Sequence, residues 1–409
     1  VARVVSWPIM WVAMEYFRAH LPLGLTFPWN SLGQTLYRSG RLLQNADWGS
    51  FYGLSFLIVF INSAIDDVLR RRIGWKRHMG AAGLLLALYT GYGAWRYTLP
   101  AGEKPFRVGI VQGNVDLNTK WIPSNRQAIL DHQIVLSESM IPQSPDVLVW
   151  SESAIPFIYR LAWQYPDSDG QPPGYRIAQF MENTRIPLVT GTLDRQEGRM
   201  YNAAVLTAPG HPDQYYYKEQ LVPFGEYIPA QRVFRFVNRL VDDSIGEFGR
   251  GESDAPFVLP GGPRIAMTIC YENIFPTLVR DRVRAGGEVI CNITNDAWFG
   301  DTSGPFQHFS ASCFRAVETR RPVVRCANSG VSGAVDALGR IVRQSSLNTT
   351  ETCVVTVYPD SRSTLYLVFG DWFANGCMVL TFLLYCIFFV RHYRDGSRRK
   401  SCQKNTSAR

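Results

Sequence analysis

Three side chains that could carry out covalent catalysis each follow a short apolar run. Glu152 comes just after Asp146–Trp150, and a carboxylate where an apolar strand emerges can act as a general base with a raised pKa. Lys218 follows a run of tyrosines, where a lysine can stabilise negative charge developing on a substrate oxygen. Cys270 ends the run Arg264–Cys270 and could serve as the nucleophile.

The turn after Cys270 favours this chemistry. Pro276 and a predicted helix follow closely, so the turn would expose the thiol and offer the main-chain N–H of Tyr271 as an oxyanion donor. A fourth strand end, Asn292–Gly300, is interpreted as a shaped binding loop rather than a source of catalytic groups.

Each of the three residues also has an ordinary structural interpretation. Glu152 could cap a helix or lie in a loop, Lys218 could extend along the surface into solvent, and Cys270 could be a buried, unreactive thiol. We interpret several other cysteines in that last way, namely Cys291, Cys313, Cys326 and Cys353. His308 and Cys313 have no second pair of ligands nearby and the chain has no CxxC pair, so no metal site is predicted.

The elements that must position these residues lie beyond a breaker-rich segment at residues 100–105. The predicted strands are Phe106–Gln112, Asp146–Trp150, Pro187–Thr192, Tyr201–Leu206, Arg264–Cys270, Glu288–Thr294, Pro322–Cys326 and Thr352–Val357. The predicted amphipathic helices between them include Asn125–Met140, Tyr175–Thr184 and Gln307–Arg320. Buried strands covered by helices indicate a layered α/β or α+β domain, and about 250 residues can form its core.

Uncharged apolar segments flank this central region on both sides. Phe51–Ile65, Met79–Trp95 and Trp372–Val390 are candidates for crossing a membrane. Val4–Phe17 is a weaker candidate because it is short and carries Glu15. The alternative interpretation is that these segments are buried helices of a soluble protein.

The flanking charges favour membrane insertion. One basic cluster, at residues 70–78, lies between the candidates Phe51–Ile65 and Met79–Trp95, and a second, at residues 391–400, follows Trp372–Val390. The positive-inside rule places both clusters in the cytoplasm. The central region then lies on the opposite side. We therefore predict a transmembrane region at 1–99 with about three spans, a catalytic domain at 104–360, a spanning helix at 365–392 and a basic cytoplasmic tail at 393–409.

Composition and charge narrow the function further. The chain of 409 residues is 46% hydrophobic and 13% aromatic, which excludes a disordered chain. A formal net charge of +8 would ordinarily suggest nucleic acid or an anionic membrane surface. Residues 70–78 and 391–409 together hold 12 Lys and Arg against a single acid, so the remainder has no basic excess. No nucleic-acid partner is predicted.

In chain order, the glutamate, lysine and cysteine match a known pattern, and the sequence resembles the nitrilase superfamily of carbon–nitrogen hydrolases. The matching stretches are Val111–Asn114, Trp150–Pro156, Tyr216–Lys218, Leu221–Tyr227, Ile269–Glu272, Asn295–Gly300, Gly304–His308 and Arg315–Gly330. Phe27–Trp29 and the flanking apolar segments make the resemblance closest to its branch of bacterial lipoprotein N-acyltransferases. The resemblance implies an α-β-β-α sandwich inserted between transmembrane α-helices, and more spanning helices than the four candidates here, so a shortened N-terminus is expected.

The resemblance also implies roles for individual residues. Glu152 would be the general base and acid, Lys218 the oxyanion-stabilising cation and Cys270 the acylated nucleophile. Supporting residues would be Glu226, Tyr271 and Glu272, and substrate-binding or loop residues at the mouth of the site would be Trp121, Asn202 and Trp298.

The implied reaction moves an acyl chain from a phospholipid, through a thioester on Cys270, to the N-terminal amine of diacylglyceryl-cysteine on an apolipoprotein. The enzyme would be a multi-pass protein of the bacterial inner membrane, with its catalytic domain on the periplasmic side and with no metal or organic cofactor. Two alternatives remain open. One is a membrane-tethered amidase or nitrilase that releases acid to water, and the other is a non-catalytic membrane scaffold.

Overall fold

A computed structural model describes residues 3–22, 25–100, 102–164, 170–228 and 248–406, with side chains up to residue 393. The strands, β1 to β12 in chain order, are Phe106–Gln112, Val147–Trp150, Leu188–Gln196, Arg199–Thr207, Gln214–Tyr217, Phe257–Val258, Arg264–Ile269, Val289–Thr294, Val323–Ala327, Gly333–Val335, Ile341–Gln344 and Glu351–Val357. The α-helices, α1 to α11, are Arg3–Ala19, Gly40–Leu43, Ala46–Leu69, Trp75–Tyr97, Leu117–Lys120, Arg126–Glu138, Pro173–Thr184, Pro276–Arg284, Gly304–Thr319, Leu365–Phe369 and Trp372–Thr406.

The described strands form two six-stranded sheets of similar topology. One has the order β12-β1-β2-β3-β4-β5 and the other has the order β11-β10-β9-β8-β7-β6. In each sheet three adjacent strands are parallel, β1 to β3 and β7 to β9, and the outer strands are antiparallel. The carboxyl ends of the parallel strands therefore meet at one edge of each sheet, where polar side chains can converge.

The two sheets pack face to face through alternate residues of their strands. Ile110 and Val149 of the first sheet belong to the same buried cluster as Met267 and Ile293 of the second. Helices α6 and α7 cover the outer face of the first sheet, and α8 and α9 cover the outer face of the second. The predicted α-β-β-α sandwich of the nitrilase-like α/β class is confirmed.

The apolar helices pack against the second outer layer. Phe51 of α3 contacts Phe314 of α9, with ring centroids 6.1 Å apart, and the Ser50 hydroxyl donates a 2.5 Å hydrogen bond to Glu318. Among the described residues, two helices are long and apolar enough to cross a membrane, Ala46–Leu69 and Trp372–Tyr393.

The other two membrane candidates are also helical. Val4–Phe17 lies in α1 and Met79–Trp95 lies in α4. The number of spans and the domain boundaries stay predictions. The charges of the predicted cytoplasmic tail lie outside the described residues, because side chains are described only up to residue 393.

Candidate active site

Three of the predicted site residues directly follow strands of both sheets. Glu152 lies two residues beyond β2, Lys218 follows β5 and Cys270 follows β7. The main-chain N–H of Asn295, just beyond β8, donates a 2.7 Å hydrogen bond to Oε2 of Glu152. This bond joins the polar ends of the two sheets, and the charge of Glu152 in one sheet acts on Cys270 in the other.

Lys218 is buried between two carboxylates. Its Nζ donates a 2.8 Å hydrogen bond to Oε1 of Glu226 and lies 3.7 Å from Oε1 of Glu152. Burial opposes the ammonium charge, but Glu226, Glu152 and the neighbouring Cys270 raise the pKa of Lys218 above its ordinary value. The site therefore holds a permanent cation next to the thiol.

Asn202 links the two carboxylates directly. The side-chain Nδ2 of Asn202 donates hydrogen bonds to Oε1 of Glu152 at 2.7 Å and to Oε1 of Glu226 at 3.1 Å. The main-chain carbonyl of Asn202 accepts a hydrogen bond from the main-chain N–H of Lys218. Asn202 was predicted as a substrate-binding residue. In the structure it contacts the charged groups of the site and fixes their spacing.

Cys270 occupies a sharp turn. Its φ of +52° lies in the left-handed region, and Ser153, next to Glu152, has a φ of +50°. The carbonyl of Cys270 accepts hydrogen bonds from Asn292 at 3.3 Å and from His308 at 3.0 Å, which hold the turn in place. As a whole residue, Cys270 is half-buried.

The surroundings keep this thiol protonated. Removal from water and the charge of Glu152 together raise the pKa of Cys270 to about 12, against the opposing charge of Lys218. A thiol with so high a pKa needs a base to become a nucleophile. Glu152 is a carboxylate close enough for its charge to act on this thiol.

Glu272 is fully buried, and its carboxylate binds main-chain and tyrosine donors around the site. Its carboxylate accepts from the main-chain N–H groups of Ile269, Glu219 and Gln220 and from the hydroxyl of Tyr216. These bonds join the strand end before Cys270 to the segment just after Lys218. Glu272, the predicted supporting residue, therefore helps to fix the position of Cys270 relative to Lys218.

Tyr271 connects the site to the segment after α1. Its hydroxyl donates a 3.0 Å hydrogen bond to the carbonyl of Thr26, and its ring stacks near Phe27. Trp29, two residues on, donates to Gln307 of α9 at 2.8 Å and packs against His308. The apolar N-terminal region thus contacts Tyr271, the residue that follows Cys270 in the chain.

The two tryptophans predicted to lie at the mouth of the site are exposed to solvent. Trp121 is 45% exposed and Trp298 is 81% exposed, although tryptophan is ordinarily a largely buried side chain. Among the described residues no cluster of three or more His, Cys, Asp or Glu is arranged to hold a metal ion.

Sequence reasoning missed a buried ionic cluster beneath Cys270. Asp296 accepts hydrogen bonds from Arg325 at 2.7 Å and pairs with His308 at 2.9 Å. Burial opposes ionisation of Asp296, but Arg325 and His308 hold its pKa well below its usual range. The signal was available, since Asp296 lies in the predicted binding loop and His308 was considered only as a metal ligand.

Residues 107–365 match the Carbon-nitrogen hydrolase family. This range covers the sandwich from the second residue of β1 onward and contains every predicted site residue. An amidase of the nitrilase superfamily from Nesterenkonia aligns with a TM-score of 0.47 and 20% identity, over 66% of this chain and 95% of that chain. The fold and the matched region define a member of the carbon–nitrogen hydrolase superfamily.

The N-terminal region and the similar full-length relatives identify the family within this superfamily to which the chain belongs. Residues 1–64 match the Apolipoprotein N-acyltransferase N-terminal domain. The apolipoprotein N-acyltransferase of Geobacter metallireducens is 38% identical over 92% of this chain and 73% of its own length. Those of Allorhizobium ampelinum and Pseudomonas putida are 36% and 32% identical, over 85% and 91% of this chain and 65% and 72% of their own lengths. The chain belongs to the apolipoprotein N-acyltransferase family.

Proposed function

We propose that this chain transfers an acyl group from a phospholipid to the N-terminal amine of a diacylglyceryl-cysteine on a bacterial apolipoprotein, through a thioester on Cys270. Family membership supports an acyltransferase that acts on lipoproteins. The observation that carries the residue assignment is the buried Lys218 ammonium, held between Glu152 and Glu226 and close enough to Cys270 for their charges to interact.

In the first half-reaction Glu152 removes the proton from Cys270 and the thiolate attacks an ester carbonyl of the phospholipid. The Lys218 ammonium and the main-chain N–H of Tyr271 stabilise the oxyanion. The ester C–O bond then breaks, the proton on Glu152 passes to the leaving alkoxide, and lysophospholipid departs. The acyl group remains on Cys270 as a thioester.

In the second half-reaction the amine of the diacylglyceryl-cysteine attacks the thioester carbonyl. Glu152 takes the proton that the amine loses, and Lys218 again stabilises the oxyanion. The C–S bond breaks, the amide forms, and the proton held by Glu152 returns to the sulfur. Both substrates are amphiphiles, which accounts for the contact of Tyr271 with Thr26 and Phe27, in the segment that follows the apolar helix α1.

The topology belongs to the same proposal. We place the chain in the bacterial inner membrane as a multi-pass protein, with residues 104–360 on the periplasmic side. In intact cells a membrane-impermeant maleimide should label Lys104→Cys, whereas the natural Cys402 in the basic tail should react only after permeabilisation. Labelling of Cys402 in intact cells would contradict this orientation.

The reaction is tested with the full chain in detergent, a phospholipid carrying a labelled acyl chain, and a synthetic diacylglyceryl-cysteine peptide. We expect the label in amide linkage on the peptide, and none with Cys270→Ala or Glu152→Gln. Release of labelled fatty acid with no labelled peptide would instead identify an amidase-like hydrolase. Transfer by Cys270→Ala would contradict the covalent mechanism. If the parent chain transferred the acyl group neither to the peptide nor to water, the result would favour a non-catalytic membrane scaffold.

A further inference from the structure

A second buried lysine lies beside the site, and the proposed mechanism does not use it. Lys120, the last residue of the short helix α5, is only 1% exposed. Its Nζ donates a 3.1 Å hydrogen bond to the main-chain carbonyl of Glu152. Glu152 is therefore held at both ends, its carboxylate by Asn202, Asn295 and Lys218 and its carbonyl by Lys120.

Packing alone does not account for a lysine at this position. Burial lowers the pKa of Lys120 to about 8, against the opposing influence of Glu152, which shows that the surroundings disfavour its charge. A methionine has similar length and would fill the same space without that penalty. The feature that methionine lacks is the donor to the carbonyl of Glu152.

The loop that carries Lys120 is fastened at two points. At its start the side chain of Asn328 accepts from the N–H of Val115 at 2.9 Å and donates to the carbonyl of Val115 at 2.7 Å. At its end Lys120 binds the carbonyl of Glu152. The next residue is the exposed Trp121, whose ring centroid lies 5.9 Å from the Lys120 Nζ. The Lys120 side chain thus contacts both the main chain of Glu152 and the ring of Trp121.

We propose that Lys120 is a positioning residue for acyl transfer, which holds the main chain of Glu152 at the distance from Cys270 that proton transfer requires. The inference rests on the proposed roles of Glu152 and Cys270. Lys120 acts through Glu152, so its loss should slow acylation of Cys270 without weakening the binding of the acyl donor. A displacement of about 1 Å at a catalytic group reduces rates by up to about 100-fold.

The test uses p-nitrophenyl butyrate, which can acylate Cys270 whether the natural donor is a phospholipid or an amide. The full chain is compared with Lys120→Met, Lys120→Arg and the surface control Lys104→Met. We expect the first-turnover rate constant for p-nitrophenol release to fall about 10- to 100-fold in Lys120→Met, with an unchanged half-saturating ester concentration. Lys120→Arg keeps a donor and should recover a large part of the rate.

Thermal unfolding separates positioning from a structural role. Lys120→Met should unfold at the same temperature as the parent or a higher one, because it removes a buried charge. A first-turnover rate equal to that of Lys104→Met would overturn the inference. So would a loss of rate that Lys120→Arg does not relieve and that parallels a fall in unfolding temperature.

The phospholipid reaction is measured separately on the same variants. A parent chain that reacts with the ester, but forms no acyl adduct from phospholipid, would contradict the proposed donor while the Lys120 comparison still stands. A parent chain that acylates from phospholipid at a rate unaffected by Lys120→Met would contradict the positioning role and leave the proposed function intact.

Discussion

Gly191 of β3 lies directly against the strand end that carries Glu152. A Cβ at this position would lie 2.5 Å from the main-chain N of Ser153, 2.6 Å from the Cα of Glu152 and 2.6 Å from the carbonyl oxygen of Ser151, whereas ordinary contacts are 3.4–4 Å. All three neighbours are backbone atoms, so no side chain can rotate away. The substitution Gly191→Ala must therefore move the main chain of Glu152 by about 1 Å.

This displacement predicts a catalytic defect larger than the loss of stability. We expect first-turnover acylation of Cys270 to fall about 100-fold in Gly191→Ala, because Glu152 moves relative to the thiol from which it is proposed to take the proton. Overpacking should lower the free energy of unfolding by about 1–3 kcal/mol, which leaves the protein folded at 25 °C. Acylation is followed by intact-protein mass spectrometry and folding by thermal unfolding.

The matched control is Gly83→Ala in α4, where an added Cβ would meet no atom within 4 Å. It should retain the parent rate. Parent-like acylation by a folded Gly191→Ala chain would refute the reasoning, because it would show that the position of the Glu152 main chain does not limit the reaction.

Other substitutions in and around the site give effects of predictable sign. The charge of Glu152 helps to raise the pKa of Cys270 to its present value of about 12, and Glu152→Gln removes that charge. At pH 9 iodoacetamide should therefore alkylate Cys270 faster than in the parent, although acyl transfer is lost. Lys218→Met should slow the same alkylation, because the cation that opposes the rise is gone. Glu272→Gln leaves buried N–H donors without carboxylate acceptors and should lower the free energy of unfolding by about 3–5 kcal/mol, measured by thermal or denaturant unfolding. Slower alkylation in Glu152→Gln, or an unchanged unfolding midpoint in Glu272→Gln, would contradict these assignments.

The sequence was most informative where the chain is apolar and regular. The eight predicted strands agree with observed strands to within a few residues, because fully buried parallel strands are continuous β-branched runs. Four antiparallel strands at or next to the sheet edges were not predicted, namely β5, β6, β10 and β11. They are two to four residues long, and no hydrophobic pattern can be recognised over so short a segment.

The sequence singled out the charged and thiol groups that the candidate site contains, but not all of the residues that support them. Glu152, Lys218 and Cys270 follow apolar runs and could be read from the sequence, and the resemblance added Glu226 and Glu272. Lys120 was not predicted as a site residue, because the residues around it show no strand or helix pattern that would bury a lysine. Its partner is a main-chain carbonyl, and such a contact depends on tertiary packing rather than on residue type.

The central claim is that Cys270 carries the acyl group between the two substrates. The direct measurement is intact-protein mass spectrometry of the full chain incubated with phospholipid of a single acyl composition, with peptide mapping of the adduct. We predict one acyl group on Cys270 that hydroxylamine removes, and that disappears within the turnover time when the diacylglyceryl-cysteine peptide is added. Transfer of acyl groups to the peptide with no adduct on Cys270, or with an adduct that the peptide does not discharge, would contradict the account.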